Sequence, residues 1–188
     1  MNILVACALS EERADYDFSG AHVRVVETKV GKAAAAFRLT RAICESRPDC
    51  VLNIGTAGTL KHRVGDVLIS HRFVDRDFEC LKLPGIVYEL ETELPSVISN
   101  WKATVQGADF IVNTGDDFVT QGENITGDVI DMEGYAEALV CQELGIPFAS
   151  IKYVTDVIGQ NSVKHWENKL EEARSALSLY IKEQQHEK

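Results

Sequence analysis

The chain is short of positive charge. Its 19 Lys and Arg face 29 Asp and Glu, giving a formal net charge of −10. A nucleic-acid binder needs a basic face to displace counterions from phosphates, and a polybasic membrane anchor needs the same. No Lys/Arg cluster of that size occurs, so neither partner is expected. Paired cysteines are also missing. The five (Cys7, Cys44, Cys50, Cys80 and Cys141) are odd in number, and no two are spaced C-x-x-C. Three lie within apolar runs, where a free thiol behaves as a small hydrophobe. The expectation is a reducing, cytoplasmic compartment with no disulfide framework and no zinc site. No apolar run approaches the roughly 18–20 residues that span a bilayer. Phosphate-cradling loops of the G-x-x-x-x-G-K or G-x-G-x-x-G type are absent as well.

The apolar content is 45%, enough for a substantial core. With no repeat, linker or low-complexity segment, residues 1–188 read as a single domain. Ile3–Ala8 is short, continuous and apolar, and is followed by Glu11 and Glu12. It reads as a buried first strand rather than a signal peptide. Further strands are expected at 22–27, 50–54, 66–74, 108–113, 128–132 and 148–154. The alanine-rich run from Lys32 to Glu45 has strong helical propensity. A second helix is expected over 133–144, closed by Gly145 and Pro147. The third and longest covers 162–183, with Trp166, Leu170, Ala173, Leu177, Tyr180 and Ile181 on one stripe. A short helix is expected at 95–102, and 75–95 has no clear pattern beyond a Pro84-Gly85 turn. Strands alternating with helices define an α/β fold with a mixed, mostly parallel sheet.

Ligands of open α/β sheets bind outside the carboxyl ends of the strands. Polar and acidic residues collect there: Ser10-Glu11-Glu12 after the first strand, Gly55-Thr-Ala-Gly58 as a turn after the third, and Gly115-Asp116 after the strand at 108–113. Asp131-Met132-Glu133 lies next to the short strand at 128–132, and Thr155-Asp156 follows the last. Each has an ordinary structural reading as a first-turn acid, tight turn or N-cap. Their joint placement at one rim is what marks a site. Several carboxylates with few cations suit cleavage of a purine N-glycosidic bond. That reaction passes through a ribosyl cation-like centre. It needs an acid for the leaving base, a carboxylate for the ribose hydroxyls and a base for water. Three carboxylates would suffice, with no metal or cofactor.

The same residues, in order, resemble the nucleoside phosphorylase/nucleosidase superfamily. Within it they are most similar to bacterial 5′-methylthioadenosine/S-adenosylhomocysteine nucleosidases. The matching segments are Ala8-Leu-Ser-Glu-Glu12, Val30-Gly-Lys-Ala-Ala34, Asn53-Ile-Gly-Thr-Ala-Gly58, Val64-Gly-Asp66, Thr114-Gly-Asp-Asp-Phe-Val119, Ile130-Asp-Met-Glu133 and Val154-Thr-Asp-Val157. The resemblance implies a three-layer αβα fold and a homodimer. It implies that Glu12 activates water and that Asp156 is the acid at purine N7. Glu133 would hold the ribose hydroxyls, with Met132 under the sugar. Phe118 would stack on the purine, whose edge the Val119 backbone would meet. Thr56, Ala57 and Gly58 would form a wall beside ribose and base, and Thr155 would belong to the same binding set. Trp166 would face the 5′ substituent. The chain departs from the family by being shorter around 18–22 and between 78 and 130. It also has Lys29 and Thr59 in place of glycines, Asp131 in place of Glu, and Thr155 in place of Ser.

Family phosphorylases place an arginine where Asn53 stands, and two carboxylates beside a phosphate site would repel it. Hydrolysis is therefore the expected reaction. The alternatives are a purine nucleoside phosphorylase, a futalosine-type hydrolase, a hydrolase of plain purine nucleosides, and a non-catalytic nucleoside-binding domain.

Overall fold

The structure is a computed structural model that describes residues 1–186 other than 15, 82, 108, 122–124 and 161. In chain order the elements are β1 (Asn2–Cys7), a 3-10 turn (Ser10–Glu12), β2 (His22–Glu27), α1 (Lys32–Glu45), β3 (Cys50–Thr59), β4 (Val67–Ser70) and β5 (Arg72–Asp75). They continue with α2 (Arg76–Glu79), β6 (Glu89–Glu91), a 3-10 turn (Ser96–Ile98), β7 (Ile111–Thr114), β8 (Val129–Asp131), α3 (Gly134–Glu143), β9 (Phe148–Val157) and α4 (Ser162–His186). The strands form one sheet with the order β2-β1-β3-β8-β7-β5-β6. β9 pairs with β3 and β4 off that path. β1/β2, β1/β3, β3/β9, β5/β7 and β7/β8 are parallel, whereas β3/β8, β4/β9 and β5/β6 are antiparallel.

Alternation along the strands splits the core into two layers, as expected of a sheet covered on both faces. Leu4, Ala6, Val51 and Val154 pack with Leu39 and Ile43 of α1 and with Tyr135, Ala138 and Cys141 of α3. Ile3, Val5, Leu52, Ile54 and Ile151 pack with Ala173, Leu177, Tyr180 and Ile181 of α4. The stripe expected on the last helix is thus the face that docks. α3 ends as its sequence implies: Gly145 adopts φ +59° and Ile146 N–H reaches back to Cys141 O at 2.9 Å. No described helix is long and apolar enough to cross a membrane.

Three expectations change. Gly55-Thr-Ala-Gly58 is not a turn but the second half of the ten-residue β3, where β9 on one side and β8 on the other supply backbone partners. β9 likewise runs on through Thr155 and Asp156 to Val157. The expected strand at 66–74 is two strands broken at His71. Ser70 Oγ accepts from Arg72 N–H at the break, and the chain then leaves β9 for β7.

Candidate active site

A cleft with a cavity of about 100 Å³ opens where these segments end. Its walls are built from Leu9 and Glu12 after β1, Thr56–Gly58 of β3, Arg76 of α2, and Asp117–Val119 after β7. Ile130–Glu133 at the end of β8, Asp156 and Ile158 at the end of β9, and Trp166 of α4 complete it. Of the residues the sequence nominates, Glu12, Thr56, Ala57, Gly58, Phe118, Val119, Met132, Glu133, Asp156 and Trp166 all line it.

Thr155 does not. It is fully buried and turned from the cleft, and its hydroxyl lies 2.9 Å from Asp156 Oδ1 and 3.4 Å from Ala57 O. A register shift between β3 and β9 explains the placement. Ala57 pairs with Val154 but Gly58 pairs with Asp156, so Thr155 is the extra residue of a bulge. Such bulges re-aim the side chain that follows.

Glu12 is almost completely buried and is held by three donors. Oε1 accepts from Thr56 N–H at 3.0 Å and from the Thr56 hydroxyl at 2.6 Å. Oε2 accepts from Leu9 N–H at 3.2 Å. An ionised carboxylate has about four acceptor positions, so one remains on Oε2.

Glu133 caps α1 from a distance, its Oε1 accepting from Gly31 N–H at 3.0 Å. Burial, then the neighbouring Asp131 charge, push its carboxyl well above the usual range, against the pull of Lys152. Asp131 accepts from the Thr114 hydroxyl at 2.6 Å and from Lys152 Nζ at 2.9 Å, and it receives Gly134 N–H at the start of α3. Burial works against the Lys152 ammonium, yet Asp131 and Glu133 hold it above its ordinary value.

Phe118 is 41% exposed, lines the cleft and meets Trp166 with ring centroids 6.1 Å apart and planes at 63°. Trp166 Nε1–H donates to Thr56 Oγ1 at 3.0 Å.

Sequence reasoning missed two residues. Lys152 is a lone cation in the apolar run of β9, and burial of that strand obliges it to find a carboxylate, so a signal existed. Arg76 lay in the unassigned 75–95 stretch. Its Nη1 donates to Asn113 O (3.2 Å), Asn113 Oδ1 (3.4 Å) and Asp131 O (3.1 Å). Its Nη2 donates to Gly115 O (3.0 Å) and to Asp117 O. Nothing in the sequence announces those backbone acceptors.

An acidic cleft at the strand ends of a mixed α/β sheet, with its few cations already engaged, is the class of site that fold and chemistry define. Residues 13–183 match the family model for the phosphorylase superfamily, and the chain belongs to that superfamily. The 5′-methylthioadenosine/S-adenosylhomocysteine nucleosidase of Bacillus velezensis is 30% identical over 179 residues, covering 83% of this chain and 77% of the relative. The same-named nucleosidase of Helicobacter pylori, solved with butyl-thio-DADMe-Immucillin-A, superposes with a TM-score of 0.81 at 19% identity. The match covers 100% of this chain and 98% of that one. The native structure of futalosine hydrolase of Helicobacter pylori gives the same TM-score, identity and coverage. The two structural likenesses establish the fold and do not separate one nucleoside from another.

Proposed function

We propose that the chain is an N-ribosyl hydrolase that cleaves a purine nucleoside of the methylthioadenosine/S-adenosylhomocysteine type into free base and ribose moiety. The observation that carries this reading is the convergence of Glu12, Glu133 and Asp156 on one cleft, each held by a different part of the fold. Protonated Asp156 gives its proton to N7 as the C1′–N9 bond breaks and the electron pair leaves with the base. Glu12 takes a proton from the water that attacks the cationic C1′, so water is added across the broken bond. Glu133 accepts from the ribose hydroxyls beside Met132. Phe118 covers the purine and the Val119 backbone meets its edge. Thr56, Ala57 and Gly58 wall the ribose and base, and Trp166 faces the 5′ group. Thr155 contributes through Asp156.

Phosphorolysis is disfavoured by the state of the cations. Arg76 is committed to backbone carbonyls and Lys152 to Asp131. Asn53 is buried, with Oδ1 accepting from the Ser150 hydroxyl. Arg13 and Arg63 are exposed and outside the cleft.

A homodimer in the cytoplasm completes the proposal. Val87 is 68% exposed, and Phe78, Leu81 and Leu83 are exposed in the same segment; such apolar surface is characteristic of interfaces. Light scattering at two protein concentrations tests the dimer.

The reaction is tested by base release from methylthioadenosine, S-adenosylhomocysteine, adenosine, inosine and futalosine, each with and without phosphate. Release without phosphate is expected, fastest with a 5′-thioether. Release only with phosphate would make the protein a phosphorylase, and no release from any would leave a binding domain.

A further inference from the structure

The hydrogen bond between Trp166 and Thr56 has a direction that chemistry forces. An indole N–H can only donate and an ionised carboxylate can only accept, whereas a hydroxyl has one proton and two lone pairs. Trp166 Nε1 lies 3.0 Å from Thr56 Oγ1, and Thr56 Oγ1 lies 2.6 Å from Glu12 Oε1. The indole therefore occupies a lone pair of the hydroxyl, and the hydroxyl proton points at Glu12. The second distance is that of a charge-assisted bond. With Thr56 N–H also on Oε1, that oxygen is filled, and the acceptor position left for water is on Oε2, which Leu9 N–H only half occupies.

We propose that Trp166 is a positioning residue for the water-activating carboxylate: through Thr56 it fixes which oxygen and which lone pair of Glu12 remain open to water. The inference rests on the reading of Glu12 as the base. It gives α4 a task beyond covering the cleft. Ala173, Leu177 and Ile181 seat the helix on the sheet, and that seating sets the indole over Thr56. Closure over the 5′ end of a substrate and alignment of the base then depend on one side chain, which also touches Phe118 on the purine side.

The test replaces Trp166 by its benzothiophene isostere, 3-benzothienylalanine, which keeps the shape and apolar surface and lacks the N–H. The expected result is a fall in kcat of about tenfold, the scale of one charge-linked hydrogen bond, with KM changed less than about twofold. In a Thr56→Val background the same exchange should leave kcat unchanged, because the route is already cut. Full kcat for the isostere overturns the inference, as does an equal loss of kcat with and without the Thr56 hydroxyl. Glu12→Gln is measured alongside. If it retains turnover, the base assignment falls and takes the inference with it. If it is inactive while the isostere is fully active, the inference alone fails.

Discussion

Asp156 pairs with Gly58 across the β3/β9 bulge, and a larger residue there would crowd its carboxylate. A Cβ at Gly58 would lie 3.1 Å from Asp156 Oδ2 and 2.8 Å from Ile158 Cδ1. Ile158 Cδ1 is the tip of a flexible side chain and can turn aside, whereas the Asp156 carboxylate must give way by a few tenths of an ångström in Gly58→Ala. Overpacking of this kind costs about 1–3 kcal/mol. The larger effect is expected in kcat, because the displaced group is the proposed acid. A melting curve and initial rates check both. A variant with normal stability and normal kcat would show that the Asp156 position is not critical.

The carboxylates divide the labour, so their amides should fail differently. Asp156→Asn cannot supply a proton and should bind substrate yet turn over about 10²–10⁴-fold more slowly. Glu12→Gln should abolish hydrolysis while an inhibitor with the same ribose and base still binds. Steady-state rates with calorimetric titration of the inhibitor separate the two. Near-normal turnover by Asp156→Asn would remove it from the reaction, and full activity of Glu12→Gln would place water activation elsewhere.

Much of this was visible in the residues because the site consists of short motifs fixed to strand ends, and strands of continuous apolar residues are easy to place. β2 and α1 fall where the sequence puts them. The edges of β3 and β9 do not. Their extra residues, Gly55–Thr59 and Thr155–Val157, look like turn and rim, and only the partner strand makes them sheet. Thr155 was misplaced for the same reason, since a bulge is a property of two strands. Arg76 was invisible because its acceptors are carbonyls of residues 113–131, brought to it by the β5/β7/β8 pairing.

Lys29 shows a cost that the resemblance hints at. It stands where the family has glycine and adopts φ +68°, in the left-handed region, with its N–H on Ala8 O at 3.0 Å. A side chain there costs about 1–2 kcal/mol, and glycine removes most of that while adding freedom to the unfolded chain. Lys29→Gly should therefore raise stability by about 1 kcal/mol in urea titration. A loss of stability would mean that the contact of Lys29 with Glu27 outweighs the backbone term.

Arg76 ties the end of β7 to the end of β8, and so ties the Phe118 loop to the residues before Glu133. Its guanidinium lies flat on Gly115, where a Cβ would sit 2.6 Å from Arg76 Cζ. Arg76→Ala removes a donor from the carbonyls of Asn113, Gly115, Asp117 and Asp131 and should raise KM by about tenfold or more, equal to about 1.4 kcal/mol, with a smaller change in kcat. Arg76→Lys should not restore it, since an ammonium cannot span the same fork of acceptors. Gly115→Ala should reproduce the effect. Unchanged KM in both variants would show that the loop is held without the clamp.

Glu137 supplies a pH dependence of stability rather than of chemistry. It is wholly buried on α3, one turn after Glu133, and burial pushes it from 4.5 to about 7 although Lys152 pulls it down. Its carboxyl faces the Thr28 hydroxyl and the Asn53 side chain without a well-formed hydrogen bond to either. Asp131 faces it as well, and Cys7 and Cys141 lie close enough to feel its charge. A carboxyl raised on folding favours the fold while it keeps its proton. The contribution is complete below about 4.5 and is lost as the pH rises through about 7. The gap corresponds to at most about 3 kcal/mol. Glu137→Gln keeps the shape and removes the titration. Its stability relative to the parent should therefore rise between pH 4.5 and 7 and level off above that range. Urea unfolding of both proteins at pH 4.5, 6 and 8 measures the difference. Parallel profiles would show that Lys152 holds Glu137 ionised throughout, with the buried cation shared between α3 and Asp131.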